Sequence, residues 1–362
     1  MTDKITIKEN VINDKIMNIL SEDIDNTNKT EKIINLLKLN TLLIGNIPIT
    51  NLQHFTDISY VASGGFGLVY KAKHILDLNK YAIKIIPIKL DSNIENGLHK
   101  KIKEIRYLSK LNHPNIIKYC NSWIELSNNE LQFKSNISDY FDTTTESSIE
   151  NNKSTDSIIY DNNSLIEIDY NQLEYYKYIF VYLQMEYMEY NLRDWLLNEK
   201  IVKLTNDKRY KTQILYNIVK DIINGIEYLH SLPNPIIHCD IKPSNILINY
   251  NMGKWNAKIG DFGLVRTIID TQQNNKKDIG TFLYSSPEAK IGEYITLSSD
   301  IYSLGILLYE LQLSYKTDME KYKLINDFKS GKIKTNTILD NMINKDTNLR
   351  PSIKIVKETL IN

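Results

Sequence analysis

Apolar positions change their spacing several times along the chain, and each change marks an element. Residues 1–53 carry a loose helical spacing: Val11, Ile12, Ile16, Ile19 and Leu20, then Ile33, Ile34, Leu36 and Leu37, with a polar break from Ser21 to Thr30. This extension predicts two small helices packed on the domain that follows, with a regulatory or dimerising arm as the alternative. From His54 the spacing shortens to strands. Two apolar runs flank the small-residue turn within Val61–Tyr70, and Tyr81-Ala-Ile-Lys84 is a further strand. Ile102, Ile105 and Leu108 then give a helix from His99 to Leu111 one apolar face, and another strand follows. Between about residues 127 and 171 the periodicity vanishes. Nine acids there face two lysines, Lys134 and Lys153, amid Ser, Asn and Thr. Such a stretch buries too little apolar surface to offset its ordering entropy, so a disordered acidic insertion is expected. Order returns as a buried strand, Tyr178 to Met188, running into a hinge. A short helix from Asn191 follows, then a long one with Ile214, Ile218, Ile222 and Ile226 at fourfold spacing, ending near Ser231. Two apolar pairs, Ile236-Ile237 and Ile246-Leu247, read as short buried strands that clamp the polar residues between them. Asp300 opens a last strongly apolar helix.

Composition changes this picture little. The 362 residues suffice for one large domain or two small ones, and 42% hydrophobic content permits a real core. A formal net charge of zero gives no global basic field for nucleic acid or membrane. Two cysteines, Cys120 and Cys239, supply no disulfide framework and fit a reducing, cytoplasmic setting. The N-terminus lacks the apolar core of a signal peptide. The apolar stretch Ile33–Ile49 is broken by Lys38, Asn40, Asn46 and Pro48, short of the ~20 residues a spanning helix needs.

The chemistry gathers in the clamped loop His238-Cys-Asp-Ile-Lys-Pro-Ser-Asn245. Asp240 can accept the proton of an attacking hydroxyl, Lys242 can sit against a transferring phosphate, and Asn245 can hold magnesium, a hard cation that prefers oxygen ligands. Asp261, between an apolar strand and a glycine turn, is a second metal ligand. Upstream, Ala62, Gly64, Gly65, Phe66, Gly67 and Val69 form a turn whose backbone can approach phosphate oxygens with no Cβ in the way. Lys84 is placed to hold phosphates, with Glu104 as its expected partner. Met185 would guard the back of a nucleotide pocket, and backbone groups of Glu186 and Met188 would meet the adenine edge.

Taken together these stretches resemble the protein kinases: a glycine loop, a strand lysine with a helix glutamate, the catalytic loop, Asp261-Phe-Gly, Ser286-Pro-Glu288 and a late Arg350. The resemblance covers about residues 55–361. It implies an α+β, bilobal fold, with a smaller antiparallel β-sheet lobe over 54–188 and a larger, mainly helical lobe over 189–362. ATP would lie between the lobes with Mg2+. By the same resemblance, Arg350 pairs with Glu288. Within the kinases, several features resemble those that phosphorylate the α subunit of translation initiation factor 2. They are Gly-Gly-Phe-Gly before Val-Tyr-Lys-Ala-Lys-His74, Asn-Ser-Trp-Ile-Glu125 before a long acidic insertion, and Leu-Arg-Asp-Trp195. Thr317–Lys321 falls where that family's substrate-docking helix begins. Serine/threonine transfer to that subunit and homodimers through the smaller lobe are what the resemblance implies; the neutral net charge gives no sign of direct nucleic-acid binding, and no membrane association is expected. A Wee1-like cell-cycle kinase and a catalytically inert pseudokinase scaffold are the alternatives.

Two departures stand out. Ala62 replaces the first loop glycine, which would cost on the order of 1 kcal/mol if that position needed positive φ. Cys239 replaces the arginine that in many kinases grips a phosphate on the activation segment, and Gln272–Gly280 contains no Ser, Thr or Tyr. Both halves of that switch are missing together, so activity is expected not to depend on a phosphate held there; neutral drift at Cys239 is the bland alternative.

Overall fold

The computed structural model describes residues 51–64, 67–89, 105–127, 178–197, 208–267, 283–291, 295–315 and 317–361. The expected N-terminal helices, Gly65, Phe66, Glu104, nearly all of the acidic insertion and Gln272–Gly280 lie outside these residues. Contacts divide the chain into two compact units. The described parts of the first are 51–54, 85–89, 122–127 and 178–182. The second holds the described residues of 55–84, 105–121 and 183–361.

Five strands form one sheet: β1 (Phe55–Gly64), β2 (Gly67–His74), β3 (Lys80–Lys89), β4 (Tyr119–Ser127) and β5 (Tyr178–Glu186), in the order β1-β2-β3-β5-β4. Strand β2 alternates as a half-buried strand should, with Leu68, Tyr70 and Ala72 inside. Strand β5 is buried on both faces from Ile179 to Leu183, which is why it reads as an unbroken apolar run. In the first unit, Trp123 stacks on Tyr182 with ring centroids 5.0 Å apart, and the Trp123 indole donates to Glu125 at 2.9 Å. Of the helix expected from His99 to Leu111, residues 105–108 are described and helical, with Ile105 and Leu108 buried.

The rest of the second unit is mainly helical: α1 (Leu192–Leu197), α2 (Lys208–His230), α3 (Pro287–Ile291), α4 (Leu297–Glu310), α5 (Asp318–Lys329), α6 (Ile338–Met342) and α7 (Ile353–Leu360). Small strands sit among them. Strands β6 (Tyr190–Asn191), β8 (Ile246–Asn251) and β9 (Lys254–Ile259) form one sheet, and β7 (Ile236–Ile237) pairs with β10 (Arg266–Thr267). Helix α1 starts where Asn191 Oδ1 accepts from the Asp194 amide at 2.9 Å, an N-cap. Helix α2 buries the fourfold isoleucine stripe, each side chain worth about 1.5–3 kcal/mol over an exposed one. It lies against β9 so closely that a Cβ on Gly225 would meet Ile259 Cδ1 at 2.8 Å and the Asn115 carbonyl oxygen at 2.9 Å. Helix α4 is buried from Ser299 to Glu310, its apolar run Leu304–Leu308 in the core and its polar Ser299, Asp300, Ser303 and Glu310 buried with it. It begins at Leu297, three residues before the expected start. Thr296 and Ser299 close its first turn, the Thr296 amide donating to Ser299 Oγ at 3.2 Å. No helix among the described residues is long and apolar enough to cross a membrane.

Candidate active site

The loop between β7 and β8 is held by its own polar residues. Pro243–Asn245 is a single tight turn, closed by the Asn245 amide donating to Lys242 O at 3.0 Å. The Asn245 side-chain nitrogen donates to both the backbone oxygen (2.8 Å) and Oδ2 (2.9 Å) of Asp240. Lys242 Nζ reaches the same Oδ2 at 2.7 Å. Asp240 and Asn245 are each 5% exposed, so their contacts form away from competing water. The three residues expected to act together therefore do meet, on one carboxylate.

Asp261 arrives from β9 through Gly260, whose two backbone groups are both used. The Gly260 amide donates to Asn245 O at 2.8 Å, and its carbonyl lies 2.9 Å from His238 Nε2. A carbonyl can only accept, so Nε2 carries the proton. Nδ1 is then free to accept from the Asp240 amide at 3.3 Å. Lys84 Nζ, from β3, lies 2.9 Å from Asp261 Oδ1. Burial pushes the Asp261 carboxyl up, but the charge and hydrogen bond of Lys84, aided by His238 and Lys242, more than offset this and hold it below the usual carboxylate range. Glu104, the partner expected for Lys84, lies outside the described residues.

Two residues here adopt left-handed backbone without being glycine: Cys239 at φ 67° and Asp261 at φ 55°. Each costs on the order of 1–2 kcal/mol, so the surroundings must hold them. At Cys239 the holder is Asp300, on α4. Its Oδ1 accepts from the Cys239 amide at 2.9 Å, and its Oδ2 accepts from the His238 amide at 2.8 Å and lies 3.0 Å from His230 Nε2. Asp300 is fully buried. The sequence marks Asp300 only as a helix start and gives no sign of this role beyond an acid early in a mainly apolar helix. The Cys239 thiol is pushed up by burial and by the Asp300 and Asp240 carboxylates, with Arg266 opposing, so it stays protonated.

The phosphate-loop residues lie on β1 and β2. Ala62 pairs with Val69, and Gly64 with Gly67, which takes φ 126°. Ala62 has ordinary strand backbone and is not among the left-handed residues, so the strain considered for it is absent. Met185 and Glu186 end β5, with Met188 two residues on. The Glu186 amide donates to Lys118 O at 3.0 Å, which removes that N–H as a nucleotide contact. Beyond the loop, Arg350 grips Glu288 in a two-pronged pair at 2.6 and 2.8 Å, as expected, and Ser299 adds a third bond at 2.8 Å.

The arrangement offers a buried carboxylate with an adjacent cation, and two oxygen donors on neighbouring loops. The Asn245 side-chain nitrogen and Asp261 Oδ1 are engaged, which turns attention to Asn245 Oδ1 and Asp261 Oδ2. An amide oxygen and an ionised carboxylate suit a hard divalent cation.

Comparison with known proteins agrees. The protein kinase domain model matches residues 55–167 and 142–360. The chain is 29% identical over 288 residues to the mouse interferon-induced, double-stranded RNA-activated protein kinase, covering 79% of this chain and 45% of that one. It is 25% identical over 390 residues to rat eukaryotic translation initiation factor 2-alpha kinase 1, covering 78% and 61%. With fission yeast eukaryotic translation initiation factor 2-alpha kinase 2 it shares 25% over 388 residues, covering 78% and 60%. The chain thus spans about half the length of the curated relatives it matches. A domain match over most of the chain, an antiparallel β1–β2 hairpin ahead of a helical region, Lys242 and Asn245 both bonded to Asp240, and Lys84 paired with Asp261 lead to one conclusion: this chain belongs to the protein kinase family.

Proposed function

We propose that this protein transfers the γ-phosphate of ATP to a serine or threonine hydroxyl of the α subunit of translation initiation factor 2. The observation that carries the transfer is the Asp240 carboxylate, fixed at Oδ2 by Lys242 and Asn245. As the acceptor oxygen bonds to the γ-phosphorus, its proton passes to Asp240, and the bond to the departing ADP oxygen breaks. Lys242, anchored beside Asp240, screens the negative charge of the phosphoryl group. Lys84 and Asp261 restrain each other, so neither has to be ordered when nucleotide binds. Magnesium held by Asn245 and Asp261 would neutralise phosphate charge.

The substrate reading rests on the named relatives, two of which are kinases of this subunit, and on α5. Thr317 caps that helix, its hydroxyl accepting from the Glu320 amide at 3.1 Å. Met319 is 84% exposed on it and Tyr322 52%, an apolar pair where a protein partner could dock. The test is transfer of labelled phosphate from magnesium-ATP to the purified α subunit, with Asp240→Asn enzyme and a substrate lacking the acceptor serine as controls. Label lost in both controls supports the reading. Autophosphorylation without substrate labelling keeps the enzyme and discards the substrate. Bound ATP with no label anywhere makes the chain a scaffold. The homodimer that the resemblance implies is checked by sedimentation of the same protein.

A further inference from the structure

Three backbone stretches meet around the side chain of Glu186, and the transfer chemistry uses none of that contact. Glu186 Oε1 accepts from the Lys118 amide at 2.7 Å and from Lys258 Nζ at 2.6 Å. The Glu186 amide returns a bond to Lys118 O at 3.0 Å, so residue 186 engages both backbone groups of residue 118. The stretch before Lys118 is in turn stitched to β9. The Ile117 amide donates to Ile259 O, and the Ile259 amide to Asn115 O, both at 2.9 Å; Asn115 Nδ2 donates to Ala257 O at 3.1 Å. Lys258, which carries the ammonium that reaches Glu186, is the residue just before Ile259. Gly260 and Asp261 follow directly.

We propose that Glu186 and Lys258 are positioning residues for nucleotide binding: their ion pair fixes the end of β5, which would carry the adenine contacts, against β9, which carries Asp261. The inference rests on the kinase reading, which places adenine at residues 186–188 and phosphates near Asp261. One end of ATP would be read by β5 and the other by the residue that closes β9. The separation of those two ends is a property of the ligand, so the protein gains by presetting it. Three connections preset it. The backbone clip at Lys118 and the stitching of 115–117 to Ile259 are sequence-independent. The Glu186–Lys258 pair joins β5 and β9 side chain to side chain, beside the single side-chain bonds from Asn115 to Ala257 O and from the Lys118 amide to Glu186. The pair is partly shielded, with side-chain exposures of 28% and 19%, so it is less screened than a surface pair while Lys258 keeps access to water. A carboxylate with two donors on one oxygen holds both at once, so loss of either partner loosens the other.

The consequences separate by substitution. Glu186→Gln keeps an oxygen for the Lys118 amide and loses the charge that holds Lys258. Glu186→Ala loses both. Lys258→Met leaves the Lys118 bonds and removes the link to β9, and Lys258→Arg restores a cation. In the full chain, with protein substrate saturating, we expect the ATP KM to rise about tenfold in Glu186→Gln and Lys258→Met, and further in Glu186→Ala. We expect kcat at saturating ATP to stay within about twofold, and the KM for protein substrate to stay unchanged. Lys258→Arg should recover most of the affinity, and the Glu186→Gln/Lys258→Met double variant should be no worse than the weaker single. Titration calorimetry with magnesium-ATP gives the same comparison without turnover, and thermal unfolding reports whether each variant is folded. An unchanged ATP affinity in folded Lys258→Met overturns the proposal, as does a fall in kcat with KM constant. Wild-type protein that binds ATP without transferring phosphate defeats the kinase reading but leaves the calorimetric comparison decisive here. Wild-type protein that does not bind ATP overturns both.

Discussion

Replacing Asp300 by asparagine tests whether the candidate catalytic loop is held from α4. The carboxylate accepts two backbone bonds, from His238 and Cys239, at 2.8 and 2.9 Å on different oxygens. An amide keeps one of those oxygens, and its NH2 group meets an N–H in place of the other. One buried backbone amide is left unpaired, at about 1–3 kcal/mol, and the surviving bond falls from charged to neutral strength, about another 1 kcal/mol. The sum, about 2–4 kcal/mol, exceeds the strain of about 1–2 kcal/mol that the left-handed backbone of Cys239 costs. The segment 238–240 is then no longer bound to its strained form. A slip of about 1 Å in Asp240 is expected to lower kcat on the order of 100-fold. Urea unfolding should show the lost stability, and phosphate transfer at saturating ATP should show the fall in kcat with a far smaller change in ATP KM. An unfolding midpoint equal to wild type, together with kcat within twofold, would refute the account of Asp300 as the holder of the loop.

Other substitutions probe the scaffold. Glu288→Gln leaves the fully buried Arg350 guanidinium without its carboxylate and should cost about 3–5 kcal/mol in urea unfolding. The pH dependence follows from the same pair. Burial raises the Glu288 carboxyl, but hydrogen bonds from Arg350, the backbone and Ser299 more than offset this and hold it below its ordinary value. A depressed carboxyl contributes stability that is present above its unfolded pKa, about 4.3, and is lost as pH falls through the folded value. The Asp261 carboxyl is shifted the same way. Unfolding midpoints measured downward from about pH 5 should therefore decline, more shallowly in Glu288→Gln. Gly225→Ala should cost about 1–3 kcal/mol, because the new methyl meets a backbone oxygen that cannot rotate away; a wild-type melting temperature would show that α2 and β9 can part cheaply. Phosphatase treatment of active enzyme should leave its activity intact, since Cys239 cannot grip a phosphate; loss of activity would restore the switch that the sequence lacks.

The chemistry was legible wherever it is local. Asp240, Lys242 and Asn245 lie within six residues between two apolar pairs, and one tight turn brings them together. The fourfold stripe of α2 and the apolar run of β5 were equally plain, because burial on one face or on both leaves a periodic mark. What escaped lies far apart in sequence. Lys84 meets Asp261 across 177 positions, and Asp300 reaches Cys239 across 61. Neither distance leaves a pattern in a linear reading, and Asp300 was hidden further by its place near the start of an apolar helix. Strand β10 is two residues long and carries no alternation to find. The concern over Ala62 dissolved for a different reason. Its strain depended on a backbone angle, and the pairing with Val69 keeps that residue in ordinary strand geometry.

The grip of Asp300 on residue 239 falls on the backbone amide, which every residue except proline possesses. Position 239 is thereby divided between two separate demands. Its main chain answers to Asp300, and its side chain takes no part in that grip. A single codon change can then remove a phosphate-reading group, or restore one, without rebuilding the catalytic loop. Control of such an enzyme can be rewired over evolutionary time while its chemistry is inherited unchanged.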